Sequence, residues 1–255
     1  GAGTLGLLIP PSIIMIVYGV AANVSIAKLF LAGVIPGLML AALFMGYIIV
    51  WALFNKDKVP AADAAMTFKQ KIYASRHLIP VVSLIGLVLG GIYSGIATAT
   101  EAAALGVGGA LILAKIEGSL NWERFKDGLV AACRVYCMIG LILAGAAFLT
   151  LAMGFIGLPR HLAEFIGGLH LSPFNLMLLL VVFFIVLGCF LDGISMVVLT
   201  IAVLLPTVEA AGFDLIWFGI FIVLVVEMAQ ITPPVGFNLF VIQGLTRREV
   251  TWIAR

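Results

Sequence analysis

Two short stretches of this 255-residue sequence carry the same punctuation. One is Gly3-Thr4-Leu5-Gly6-Leu7-Leu8-Ile9-Pro10-Pro11-Ser12, the other Ile231-Thr232-Pro233-Pro234-Val235-Gly236-Phe237-Asn238. Each proline removes a backbone N–H and clashes with the preceding turn, so a Pro-Pro pair in an apolar helix frees several carbonyl oxygens. Glycine lets the chain leave helical geometry. In hydrocarbon those freed groups must be satisfied, and a bound cation is one means. Interrupted apolar segments at corresponding places in two halves of a chain point to the ion and substrate site of a secondary transporter. There, unwound carbonyls hold Na⁺ and half-helix N-termini attract anionic substrate groups. A pair of structural kinks is the plain alternative.

A third polar interruption, Asp192-Gly193-Ile194-Ser195, separates two apolar runs. An acidic residue there is expensive at membrane depth and is a functional candidate by default. Two roles stand open for Asp192: contributing to an ion site at the tip, or capping the half-helix that follows. Glu101 follows Thr98 and Thr100 and reads as a capping residue. Glu227, in an otherwise apolar run, reads as a partner for a cation or for another subunit. His77, His161 and His170 form no ligand cluster. Cys133, Cys137 and Cys189 lie in apolar runs and read as small buried hydrophobes, not a metal site. The sequence contains no P-loop, HExxH or GxSxG, so neither ATP hydrolysis nor proteolysis is supported and no enzyme is expected.

The elements that must position these residues are membrane helices. Apolar residues make up 64% of the chain and charged ones 10%, against about 25% charged in soluble domains. Runs without any Asp, Glu, Lys or Arg include Leu29–Asn55, His77–Thr100, Val135–Pro159 and Phe165–Leu191. Each exceeds the ~20 residues that cross ~30 Å of hydrocarbon. The expected order is a helix over Ala27–Phe54 bent near Pro36-Gly37, a polar loop over Asn55–Arg76, and spans over His77–Ala97 and Ala99–Ala114. Glu117–Asp127 is polar, with Trp122–Leu129 expected along the interface. A span over Gly128–Leu158 and a loop over Arg160–Leu171 follow. Pro173–Leu191 is long enough to cross, whereas Met196–Pro206 has eleven residues. That asymmetry around a Gly/Ser tip predicts a re-entrant hairpin.

Lys and Arg positions agree with this layout. With the hairpin entering and leaving on one side, Lys56, Lys58, Lys69, Lys71, Arg76, Lys115, Arg124, Lys126, Arg247, Arg248 and Arg255 share one side. Lys28 and Arg160 fall opposite, and Arg134 sits just inside the basic side. By the positive-inside rule the basic side is cytoplasmic and the hairpin opens from outside.

These segments together resemble the large membrane subunit of the tripartite ATP-independent periplasmic (TRAP) transporters. The carrying segments are Gly3–Ser12, Leu29-Phe30-Leu31-Ala32-Gly33-Val34-Ile35-Pro36-Gly37, Thr98-Ala99-Thr100-Glu101-Ala102-Ala103-Ala104, Phe190-Leu191-Asp192 and Ile231–Gly236. The usual family form has Pro where this chain has Ala99 and Gly where it has Ala229. The match covers essentially the whole chain and corresponds to about the C-terminal three-fifths of that subunit; beginning at Gly1 and ending at Arg255, the sequence reads as a piece of a longer protein.

The resemblance implies an all-α polytopic protein of the elevator type, with inverted repeats, a re-entrant helical hairpin and broken transmembrane helices, in the bacterial inner membrane. It divides the chain into 1–22 (broken helix of the first repeat), 23–76 (arm or scaffold helix and cytoplasmic loop) and 77–127 (two spans and cytoplasmic loop). Then come 128–172 (span and outer loop), 173–214 (re-entrant hairpin of the second repeat), 215–245 (its broken helix) and 246–255 (the start of an arm). It implies Na⁺ as coupling ion, a periplasmic substrate-binding protein and a small membrane subunit as partners, and a small carboxylate as substrate. Candidate sodium-site residues are Asp192, Gly193, Ser195, Thr232, Pro233 and Gly236, with Gly3, Gly6 and Pro10 from the first repeat. Ser12 and Asn238 are candidate substrate contacts. A stand-alone divalent anion:sodium symporter and an ion channel are the alternative readings.

Overall fold

The computed structural model describes residues 2–56, 67, 70, 73, 75–169 and 171–232. Pro233, Gly236 and Asn238, and with them the second Pro-Pro turn, lie outside the described residues. What is described is helical. After a 3-10 turn over Ala2–Leu7 come α1 (Ile13–Ala21) and α2 (Ile26–Phe54), then α3 (Ile79–Tyr93), preceded by a 3-10 turn at Arg76–Leu78. The chain continues with α4 (Ala99–Ile116), α5 (Trp122–Ile156), α6 (Leu158–Gly168), α7 (Pro173–Gly188), α8 (Gly193–Ala210) and α9 (Leu215–Ile231). By length and composition α2, α4, α5 and α8 are long and apolar enough to cross a membrane, and α3, α7 and α9 are shorter apolar helices. This is an all-α polytopic membrane architecture.

The chain forms two units, Gly1–Gly37 with Ala132–Arg255, and Leu38–Ala131. In the second unit α3 packs against α4. Gly106 and Gly109 of α4 face Val88 and Leu84 of α3, where a Cβ would lie 3.1 and 2.6 Å from those side chains. Small residues at such crossings are how helices associate in lipid, where no hydrophobic force draws them together. At the head of α4, Thr98 and Glu101 form a capping box: Glu101 N donates to Thr98 Oγ1 (3.3 Å) and Thr98 N to Glu101 Oε2 (2.8 Å). Glu101 is the capping residue expected.

In the first unit α8 is the central element, packed against α1, α6 and α9, while α9 also packs on α1, α7 and the first 3-10 turn. Its core holds Tyr18, Phe184, Met196, Phe218 and Ile222, all fully buried. Half of the apolar window of α8 is buried, against 6% for those of α2, α4 and α5. Helices so apolar and so exposed are stable only where the surrounding medium is as apolar as they are.

Several expected boundaries are corrected. Arg160–Leu171 is not a loop: α6 starts after Gly157, whose φ of 74° lets the chain turn, with Pro159 in its first turn and an Arg160–Glu164 ion pair at 2.8 Å. The hydrogen bond and charge of Arg160 hold the Glu164 carboxyl below its usual value. Trp122–Leu129 is no separate interfacial piece, because Asn121 caps it through Arg124 N (2.8 Å) and the helix runs on unbroken to Ile156. α2, by contrast, runs through Pro36 as one helix from Ile26 to Phe54, as expected. The return arm of the hairpin is longer than Met196–Pro206, since α8 accommodates Pro206 and continues to Ala210. Cys133 and Cys137 are exposed and Cys189 is partly so, not buried. In a lipid-solvated helix an apolar run does not imply an interior position. Glu227, at 2% exposure, faces the inside of its bundle.

Candidate functional site

The first broken motif closes on itself. Leu8 and Ile9 N–H both bond Leu5 O (3.1 and 2.8 Å), carrying the 3-10 turn up to the Pro10–Pro11 bond, which is cis. Ser12 is wholly buried and is the N-cap of α1. Its hydroxyl accepts from Met15 N (3.3 Å) and donates to Leu7 O, bridging the two sides of the break. Gly33 and Gly37 of α2 let this motif approach: a Cβ on Gly33 would sit 3.1 Å from Leu8 O, and one on Gly37 3.0 Å from Ile9 Cγ1. Pro10, just past the 3-10 turn, is buried here, and Gly6, which lies within that turn with Gly3, is exposed.

The hairpin tip is the second component. Asp192 is extended (φ −74°, ψ 162°) and caps α8, with Oδ2 accepting from Ile194 N at 3.1 Å and Ser195 N at 3.2 Å. The capping role is thus shown, and an ion-site role would use what the cap leaves. The third component is the end of α9. Thr232 is the C-cap in extended conformation (ψ 125°), its N–H bonding Ala229 O (3.2 Å) and its hydroxyl donating to Met228 O (2.7 Å). The helix therefore stops where the Pro-Pro turn was expected to stop it.

Gly193 brings the three together. A Cβ there would lie 2.3 Å from Gln230 Nε2, 2.8 Å from Val226 Cγ1 and 2.9 Å from Ile14 Cδ1. The tip thus rests on the last turns of α9 and on the second residue of α1, and a Cβ at Gly193 would push these side chains aside. Of the predicted residues the structure unites Asp192, Gly193 and, through Ile14 and Gln230, the neighbourhoods of Ser12 and Thr232. Sequence reasoning missed Gln230, which is 7% exposed. A signal was there: an amide in an apolar helix two residues before a break is expensive and calls for a reason.

Elsewhere, a cleft of about 750 Å³ is lined by Ser25, Lys28, Glu209 and Asp214 at the opposite end of α8. Sixteen residues along a helix separate Gly193 from Glu209, roughly 24 Å at 1.5 Å per residue. Among the described residues no group of His, Cys, Asp and Glu could hold a transition metal. The site chemistry is that of hard oxygen and amide groups.

A helical chain with four helices long and apolar enough to cross a membrane is a polytopic membrane protein. The chain belongs to the family described as tripartite ATP-independent periplasmic transporter, DctM component, which it matches over residues 1–254. It is 32% identical over 246 residues to the C4-dicarboxylate TRAP transporter large permease protein of Pseudomonas aeruginosa, covering 96% of this chain and 57% of that protein. Identity to the isethionate TRAP transporter permease protein of Oleidesulfovibrio alaskensis is 32% over 258 residues, covering 100% and 40%. To the sialic acid TRAP transporter large permease protein of Vibrio cholerae it is 32% over 241 residues, covering 93% and 55%. The chain thus spans roughly half the length of these curated relatives. Family membership and the apolar helices make it part of a multi-pass inner-membrane transporter permease, which is not an enzyme class.

Proposed function

We propose that this chain is the half of a large permease subunit that drives uptake of a small organic anion by sodium. C4-dicarboxylates and sialic-acid-like carboxylates are the leading substrate classes, as in the names of its relatives. The observation that carries the reading is the meeting of the Asp192–Ser195 tip with Gln230 at the end of α9 and Ile14 at the start of α1. Sodium binds between the tip and the backbone of the 232–236 stretch, where Thr232, Pro233 and Gly236 contribute, and Gly3, Gly6 and Pro10 mark the matching site of the first repeat. Ser12 and Asn238 are the proposed substrate contacts. The substrate arrives from a periplasmic binding protein, and a small membrane subunit completes the complex. The hairpin and the broken helices move together past the remaining helices in the manner of an elevator.

The test is uptake of radiolabelled succinate and sialic acid by proteoliposomes holding the complete subunits, with and without a sodium gradient and with and without the soluble binding protein. Uptake that ignores the gradient sinks the coupling. Uptake at full rate without the binding protein favours a stand-alone anion:sodium symporter, and conductance without saturable flux favours a channel.

A further inference from the structure

Between the two arms of the hairpin lies an apolar wedge. The arms close on each other at the tip, where Gly188 of α7 faces Met196 of α8. Further from the tip, Leu179 and Phe183 of α7, Leu199 and Val203 of α8 and Ile166 of α6 line a cavity of about 310 Å³. A second cavity, of about 390 Å³, follows one helical turn beyond it along both arms, where Ile166, Leu176 and Thr207 line it. We propose that one phospholipid of the outer leaflet occupies both, with an acyl chain in the wedge and an ester oxygen at the Thr207 hydroxyl.

Among the side chains lining the wedge only Thr200 is polar, and its hydroxyl already donates to Met196 O at 2.8 Å. An apolar cavity of this kind stays dry and takes up apolar molecules. Both volumes fall in the roughly 300–1,000 Å³ range of ligand cavities. The rim of the wedge is continuous with the faces that the two arms turn to lipid, since Leu179, Phe183 and Leu199 are all exposed. Polarity changes at the second cavity. Thr207 is 4% exposed, and its hydroxyl makes no hydrogen bond among the described residues. A buried hydroxyl without a partner is costly, and an acceptor supplied by a ligand relieves that cost. The order along the arms is therefore apolar toward the tip, then a hydroxyl toward the end of α8 that the charge distribution places outside. A lipid has the same order, with its chain inward and its esters nearer the surface.

The test uses the complete permease in nanodiscs containing a phosphatidylcholine with a photoactivatable diazirine on its acyl chain. Cross-linked residues are read by mass spectrometry as the mole fraction of this probe is raised. Labelling at Phe183 and Val203 should saturate early, whereas labelling at Leu38 and Leu43, exposed on α2, should rise in proportion to the probe. Val203→Trp, which fills the wedge, should lower labelling at Phe183 about tenfold and leave that at Leu38 unchanged. Leu199→Phe fills less and is the second variant should Val203→Trp not fold. Thr207→Val keeps the branched shape and removes the hydroxyl. Phosphatidylcholine added in detergent should raise the thermal midpoint of the parent protein more than that of Thr207→Val. Proportional labelling in the wedge would reduce it to ordinary bilayer contact. Labelling at Leu38 with none in the wedge would mean that another part of the permease covers it. An equal lipid effect in Thr207→Val would deny the hydroxyl its part, and each of these three results overturns the proposal.

Discussion

Asp192 holds two roles that one substitution separates. Asparagine caps a helix about as well as aspartate, so Asp192→Asn should keep the bonds to Ile194 N and Ser195 N and leave the thermal midpoint of the purified protein nearly unchanged. If the carboxylate's charge also serves sodium, the sodium concentration for half-maximal uptake should rise about tenfold, the equivalent of about 1.4 kcal/mol. An unchanged sodium response would confine Asp192 to capping. Gly193 is the sharper case, because any side chain there collides with Gln230, Val226 and Ile14 at once. Gly193→Ala should cost about 1–3 kcal/mol, the range for overpacking a filled site, and should slow uptake even where the protein folds. Full activity of that variant would show that the tip has more room than its contacts imply.

At the scale of elements, α7 and α9 touch through Gly188 and Ala229, where a Cβ on Gly188 would lie 2.3 Å from Ala229 Cβ. The Ala229 methyl thus sits in space that Gly188 leaves open. Gly188→Ala should therefore destabilise the hairpin by about 1–3 kcal/mol, and Gly188→Ala with Ala229→Gly should recover most of it. Thermal unfolding of both in nanodiscs decides this, and a double variant no better than the single one would contradict it. By contrast, Thr98→Ala removes a capping box in the other unit and should cost about 1 kcal/mol with no change in sodium dependence. The expected loop over Arg160–Leu171 failed at this scale too. Charged residues at i and i+4 read as a polar connection, yet on α6 they pair along one helix face.

At the scale of the whole molecule, the loops at Ala22–Ser25 and Ala211–Asp214 should face the periplasm and the turn at Glu117–Asn121 the cytoplasm, as the positive-inside count requires. Cysteines placed at Asn23, Gly212 and Ser119 in a cysteine-free background test this with a membrane-impermeant maleimide applied to intact cells. Labelling at Asn23 and Gly212 but not at Ser119 is expected, and the reverse pattern would invert the hairpin.

The sequence by itself determined the membrane class, because a chain 64% apolar cannot clothe itself for water. It also located the breaks, because proline and glycine act on the backbone locally: α1 starts after Ser12, α8 after Asp192, and α9 ends at Ile231. Only the tertiary structure decided which breaks meet, since contact between residues 14, 193 and 230 depends on how helices far apart in the chain cross. For the same reason Gln230 was passed over and Cys133 and Cys137 were misplaced: burial in a lipid-soluble fold follows from packing among helices, and hydropathy along the chain does not record it.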